Sequence, residues 1–223
     1  MRIFLFDIDG TLLTTQRVGN LSLAQSLRDE FGVDQPSTDI SFSGRTDWGL
    51  MIELLQRNGL PPSIENCKRL RQRYASLMGD HLRRQGGSVL PGVRQLLSEL
   101  SHHDGLSLAI MTGNFPETAT QKLRHFDLRR WFAWISGGDS HADRDDLARR
   151  TLDVVRRRHR NGFDEVIVVG DTPADIRCGR AIGAKTVGVA TGEYSLEALD
   201  AETPDHLFPN LTDTAELMRI LQP

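Results

Sequence analysis

The 223-residue chain reads as an α/β protein: a doubly wound parallel-sheet core with an all-helical block inserted near its start. Three observations predict this. Four short apolar runs each end in turn residues and lead into a helix-like stretch, which is the mark of βα units stacked into a parallel sheet. Between the first and second runs, residues 15–87 carry helical periodicities and no convincing strand. Carboxylate or hydroxyl residues stand directly behind the runs, at the rim where open α/β sheets bind ligands.

The first run is MRIFLF, and Ile3, Phe4, Leu5 and Phe6 lack the polar alternation of a half-exposed strand, so both faces are expected to be buried. It ends at Asp7-Ile8-Asp9-Gly10-Thr11. Residues i and i+2 of an extended segment point to one side, so the two aspartates share it. Two such charges repel unless a proton or a cation intervenes, and a hard, oxygen-seeking ion such as Mg²⁺ would relieve them. A surface turn built from Asp, Gly and Thr is the alternative for this segment alone.

Within 15–87, Leu23, Ala24, Leu27 and Phe31 fit one helical face, and Leu50, Met51, Leu54 and Leu55 a second. Ile64, Cys67, Leu70, Tyr74, Leu77, Met78 and Leu82 continue a third, with Ser63 as N-cap behind Pro61-Pro62. The block is expected to be a cap domain, 15–87, on a core of 1–14 and 88–223, returning through a hinge at Gly86-Gly87 and Pro91-Gly92. The later runs are 106–111 (LSLAIM) before Thr112-Gly113-Asn114, 166–169 before Gly170-Asp171-Thr172, and 185–190 (KTVGVA) before Thr191-Gly192.

A net charge of −3 with 26% charged residues gives no reason to expect a nucleic-acid or anionic-membrane partner. The basic cluster at 156–160 reads as a solvated helix end, and His102-His103 as a surface pair. Two cysteines, Cys67 and Cys178, lie in helix-like segments without metal-ligand spacing, which suits a reducing cytoplasm. No signal peptide or apolar run of membrane-spanning length is visible, so a cytoplasmic, soluble protein is expected, as a monomer or homodimer. Trp48, Trp131 and Trp134 read as packing residues.

The ordered set Asp7-Ile8-Asp9-Gly10-Thr11, Met111-Thr112-Gly113-Asn114 and Gly170-Asp171-Thr172-Pro173-Ala174-Asp175 resembles the haloacid dehalogenase-like hydrolase superfamily, in its phosphatase branch. The inserted helices resemble the cap of phosphoglycolate phosphatases and β-phosphoglucomutases. The resemblance implies a Rossmann-like core and a Mg²⁺-dependent phosphatase acting on a small phosphorylated metabolite. It implies that Asp7 attacks phosphorus to form a phospho-aspartyl enzyme; a carboxylate needs no base to activate it. Its obstacle is charge: two unit charges about 4 Å apart cost roughly 4 kcal/mol at an effective dielectric near 20.

Carried over by position, Mg²⁺ is held by the side chains of Asp7 and Asp171 and the carbonyl of Asp9, with Asp175 ordering a metal-bound water. Helix capping is the alternative role for Asp171 and Asp175. The Asp9 side chain would protonate the leaving oxygen and later take a proton from water. Dehalogenases resemble this pattern but lack that second aspartate. Thr112, Gly113 and Asn114 would bind or support phosphate.

The family's lysine before the fourth motif has no counterpart in DSHADRDDLARR (139–150); Arg144 is the expected substitute, with Arg149 and Arg150 as rivals. Substrate choice would fall to the helical lobe, above all to 43–48, where Arg45 could meet a carboxylate or second phosphate, or pair with a nearby acid. A phosphosugar mutase, an inert phosphate-ligand or partner-binding module and, more remotely, a phosphonate hydrolase are the competing readings.

Overall fold

The structure is a computed structural model and describes residues 1–139 and 142–220. In chain order its elements are β1 (Arg2–Phe6), β2 (Leu13–Thr14), α1 (Val18–Phe31), α2 (Asp47–Arg57), α3 (Ile64–Gln85), β3 (Ser88–Val89), α4 (Val93–Ser101), β4 (Leu106–Thr112), α5 (Pro116–His125), a 3₁₀ turn (Arg129–Trp131), β5 (Ile135–Gly137), α6 (Arg144–Arg158), β6 (Glu165–Gly170), α7 (Pro173–Ala181), β7 (Lys185–Val189), α8 (Leu196–Asp200), β8 (His206–Phe208) and α9 (Thr214–Ile220).

Among the described residues, six strands form one parallel sheet in the order β5-β4-β1-β6-β7-β8. The four expected strands are β1, β4, β6 and β7; β5 and β8, of three residues each, extend its edges. A doubly wound sheet needs apolar side chains on both faces, and the central strands supply them by simple alternation. Phe4 and Phe6 of β1, Leu108 and Ile110 of β4, and Ile167 and Val169 of β6 pack with α4, α5 and α9. Their neighbours Ile3, Leu5, Ala109, Met111, Val166 and Val168 pack with α6 and α7 on the opposite face.

Helices α1–α3 lie between β1 and β4 in sequence and share their own apolar cluster, including Leu23, Leu27, Met51, Leu54, Leu70, Tyr74 and Met78. Ser63 caps α3 as expected, its hydroxyl accepting from the Asn66 N–H at 3.1 Å. Ile64 departs from expectation: at the first turn of α3 it lies 67% exposed instead of joining the buried face. The insertion leaves and re-enters through a small antiparallel ribbon, in which Leu13 pairs with Val89 and Thr14 with Ser88.

The helical cluster is not closed on itself. Phe115, two residues beyond Gly113 and fully buried, belongs to it, with the Tyr74 ring edge-on at 6.5 Å and the Arg71 guanidinium 4.3 Å over its face. Arg71 also forms a two-point ion pair with Glu117 of α5, at 2.6 and 2.9 Å. The insertion is therefore docked along the start of α5, next to the end of β4.

The tryptophans pack as expected, Trp134 in the main core and Trp48 against the helical cluster. The basic segment closes α6, with Arg156 paired to Asp153 and Arg158 over the Trp134 ring. His102 and His103 are exposed, and both cysteines are buried thiols.

Candidate active site

Asp7 follows β1 and Asp171 follows β6, and these strands are neighbours at the point where successive connections turn to opposite sides of the sheet. That reversal opens a crevice at the strands' carboxyl ends. One carboxylate oxygen each from Asp7, Asp171 and Asp175 lies within 4.8 Å of the others. Asp7 Oδ1 is buried without a hydrogen-bond partner. Burial first, then the neighbouring Asp175 charge and that of Asp9, push the Asp7 carboxyl up to about 7, against the opposing pull of Arg144 and the Thr112 hydroxyl.

Asp171 is held from two sides. The Thr11 hydroxyl donates to its Oδ1 at 2.7 Å, and Gly192 passes so close that a Cβ there would stand 1.8 Å from Oδ2. Burial, with Asp175 and Asp7 nearby, raises its carboxyl well above the usual range. Asp175 does cap a helix: its Oδ2 accepts from the Thr172 N–H and hydroxyl, while the Thr172 hydroxyl accepts from the Asp175 N–H. Capping and membership of the acidic cluster coexist in one residue.

Arg144 is brought into the cluster. Asp143 caps α6 by accepting from the N–H groups of Asp145 and Asp146, so the helix begins at Arg144 and its side chain, 7% exposed, runs inward. One guanidinium nitrogen is hydrogen-bonded to Asp175 Oδ1 and the other stands 3.7 Å from Asp7 Oδ1. Burial opposes its charge, but Asp175 and Asp7 more than offset that and raise its pKa above the ordinary value. Arg149 pairs with Asp146 on the surface and Arg150 with Asp139, away from the cluster.

At the end of β4 the Thr112 hydroxyl accepts from the Asn114 side chain at 2.8 Å. That same amide donates to Asp9 Oδ2 at 2.7 Å, while its carbonyl accepts from Lys122 at 2.7 Å. Lys122 in turn reaches both Asp9 oxygens, at 2.8 and 2.6 Å. Its presence was not expected from the sequence. A helical lysine ordinarily faces water, yet Thr118, Ala119, Lys122 and Leu123 form the buried stripe of α5, and that spacing was the available signal.

The loop before α2 meets this edge of the sheet. Asp47 N–H donates to the Gly113 carbonyl at 2.7 Å, and a Cβ on Gly113 would collide with the Arg45 carbonyl at 1.9 Å. Asp47 also accepts from the Phe115 N–H at 2.9 Å, a second contact that sequence reasoning did not anticipate. Its carboxyl is pushed up to about 6, by burial above all. Arg45 pairs with a nearby acid, Glu53, at 2.7 Å, and Ser43 donates to Glu193 at 2.7 Å across to the β7–α8 segment. A cavity of about 720 Å³ lies between the loop and the strand ends, lined among others by Asp7, Asp9, Arg45, Lys122, Arg144 and Asp171.

Comparison with known proteins now defines the class. The family model for haloacid dehalogenase-like hydrolases matches residues 4–189, and the chain belongs to that family. A phosphoglycolate phosphatase of Vibrio vulnificus is 25% identical, covering 99% of this chain and 97% of its own length. A protein of Caldanaerobacter subterraneus with the provisional name pyrophosphatase PpaX is 24% identical over 98% of this chain and 93% of its own. Among solved structures, that of a predicted phosphoglycolate phosphatase from Haemophilus somnus 129PT superposes with a TM-score of 0.73 at 20% identity, over 99% and 97% of the two chains.

The acidic cluster fits a metal ion. Its donors are all oxygens, the preference of hard divalent cations, and Asp7 Oδ1 is a buried acceptor without a hydrogen bond, faced only at 3.7 Å by the Arg144 guanidinium. No helix among the described residues is long and apolar enough to cross a membrane.

Proposed function

We propose that the protein is a divalent-metal-dependent phosphatase that hydrolyses a small phosphomonoester, with Asp7 as nucleophile and Asp9 as the acid and base. One observation carries this reading: Asp7 keeps a buried carboxylate oxygen without a hydrogen bond, beside Asp171 and Asp175 and 3.7 Å from Arg144, at the wall of a cavity that Asp9 also lines. A purely structural aspartate would be expected to have that oxygen satisfied.

Asp7, Asp171 and the carbonyl of Asp9 would hold Mg²⁺, whose positive charge offsets the repulsion between carboxylates and the incoming phosphoryl group. Asp175, both of whose oxygens are already engaged by Thr172 and Arg144, supports from behind. Arg144 screens Asp7 and fixes Asp175, the task that a lysine performs in the related pattern. Thr112 and the Gly113 N–H bind phosphoryl oxygens, while Asn114, its side chain committed to Asp9, Thr112 and Lys122, shapes the edge.

As the P–O bond to the leaving group breaks, a proton passes from Asp9 to that oxygen. Water then attacks the phospho-aspartate, giving its proton to Asp9 and restoring Asp7. Residues 15–87 act as a cap, and Arg45 on its docked loop selects the departing group. The small phosphorylated compounds in the relatives' names are the first substrates to try.

The test is release of p-nitrophenol from p-nitrophenyl phosphate with Mg²⁺ and with a chelator, for the wild type and Asp7→Asn. Activity that needs the metal and falls about 10³-fold or more in Asp7→Asn is expected. Turnover that survives either change would contradict the reading. Formation of glucose 6-phosphate from β-glucose 1-phosphate, without free phosphate, would assign the site to a mutase.

A further inference from the structure

We propose that Lys122, working with Asn114, is a positioning residue for Asp9: together they saturate Oδ2 and leave Oδ1 as the oxygen that exchanges a proton with the leaving group. The proposal rests on the assignment of Asp9 as acid and base. Each carboxylate oxygen offers about two acceptor sites. Oδ2 is met by Lys122 Nζ at 2.6 Å and by Asn114 Nδ2 at 2.7 Å, and so is filled. Oδ1 is met by Lys122 alone, at 2.8 Å, and keeps a site open. Asn114 Oδ1, 2.7 Å from Nζ, takes the ammonium's remaining donor.

The exposure gradient agrees with this division. Both residues line the cavity, but the Lys122 side chain is 5% exposed and that of Asp9 41%, so of the two the carboxyl is the group more open to an entering molecule. Fold stability does not account for such a lysine. Burying an ammonium, even with its donors met, is seldom better than an apolar residue of the same volume, and the stripe it occupies on α5 is otherwise Thr118, Ala119 and Leu123. Two buried cations among the described residues divide the site: Arg144 serves Asp7 and Asp175, and Lys122 serves Asp9.

The consequence is a dependence on the leaving group. p-Nitrophenolate departs readily without a proton, whereas phenolate depends more on one, so misplacing the acid should penalise phenyl phosphate selectively. Values of kcat/KM for both esters are measured for wild type, Lys122→Met, Lys122→Gln, Asp9→Asn and the double variant Asp9→Asn with Lys122→Met. Lys122→Met is expected to lose about 10²-fold on phenyl phosphate, within the range of acid–base contributions, and at least tenfold less on p-nitrophenyl phosphate. Lys122→Gln, which keeps a donor, should lose less than Lys122→Met. In the Asp9→Asn background the lysine change should cost no more than about twofold, as for residues acting as one unit.

Equal losses on the two esters, or losses that multiply in the double variant, would overturn the proposal. Should Lys122→Met melt early, Asn114→Leu removes the other donor to Oδ2 and must show the same ester dependence; equal losses there overturn it as well. Failure of the parent reading looks different: Asp7→Asn would then remain active on both esters.

Discussion

Single residues set the sharpest expectations. Arg144 is the buried cation at the Asp7 carboxylate, whereas Arg149 and Arg150 pair with Asp146 and Asp139 outside the cluster. Arg144→Ala should therefore depress turnover of p-nitrophenyl phosphate about 10²-fold or more, the usual scale for losing one electrostatic stabiliser. Arg149→Ala and Arg150→Ala should stay within about twofold. Equal, mild effects in all three would refute the assignment. Gly192→Ala tests the Asp171 cradle, because its methyl would stand 1.8 Å from Oδ2 and must displace that carboxylate. Thermal shift on adding Mg²⁺ should shrink or vanish in this variant; an undiminished shift would show that Asp171 is not a ligand. Asp7 and Asp171 were legible in the sequence because each stands directly behind a strand, whereas Arg144 was singled out only through the family resemblance, with Arg149 and Arg150 as rivals. Lys122 was not, since its meaning depends on which face of α5 the sheet covers, and Asp47 was hidden because its partner Phe115 is remote in sequence.

Among the elements, the four longer strands announced themselves by apolar runs of four or more residues, while β5 and β8 are too short to show any period. The ribbon of β2 and β3 was equally invisible, since two-residue strands exist only through their pairing. The element that couples insertion to sheet is the start of α2. There Asp47 accepts from Phe115 N–H, and its own N–H donates to the Gly113 carbonyl. Asp47→Ala would leave the buried Phe115 N–H without its acceptor and should cost about 1–3 kcal/mol in urea unfolding. The carboxyl is raised from an ordinary 3.8 to about 6. A raised acid binds its proton more tightly when folded, so its contribution is fully present below about pH 4 and is lost as the pH climbs through about 6. Asp47→Asn, which keeps the acceptor without titrating, should flatten that part of the stability profile. An unchanged profile would show that Asp47 does not titrate in this range.

At the scale of the whole molecule, the fold gathers Asp7, Asp171 and Asp175 at one crevice against the guanidinium of Arg144. Such crowding makes the metal-free protein sensitive to pH. Asp7, raised from 3.8 to about 7, should make the metal-free fold lose stability as pH rises between about 4 and 7, by the same sign argument. Mg²⁺ at pH 8 should recover stability through binding to the folded form alone. Melting temperatures taken across pH, with chelator and with Mg²⁺, check both halves of this expectation, and a Mg²⁺ effect that persists in Asp171→Asn would count against the cluster as the ion's site.

All of this converges on the claim that Asp7 accepts the phosphoryl group with a divalent ion alongside. The most direct measurement is a crystal structure after soaking with beryllium trifluoride and Mg²⁺. The account predicts a tetrahedral beryllium adduct on an Asp7 carboxylate oxygen, with the ion between Asp7 and Asp171. An unmodified Asp7 at saturating reagent and metal, or an adduct on Asp9 instead, would contradict it.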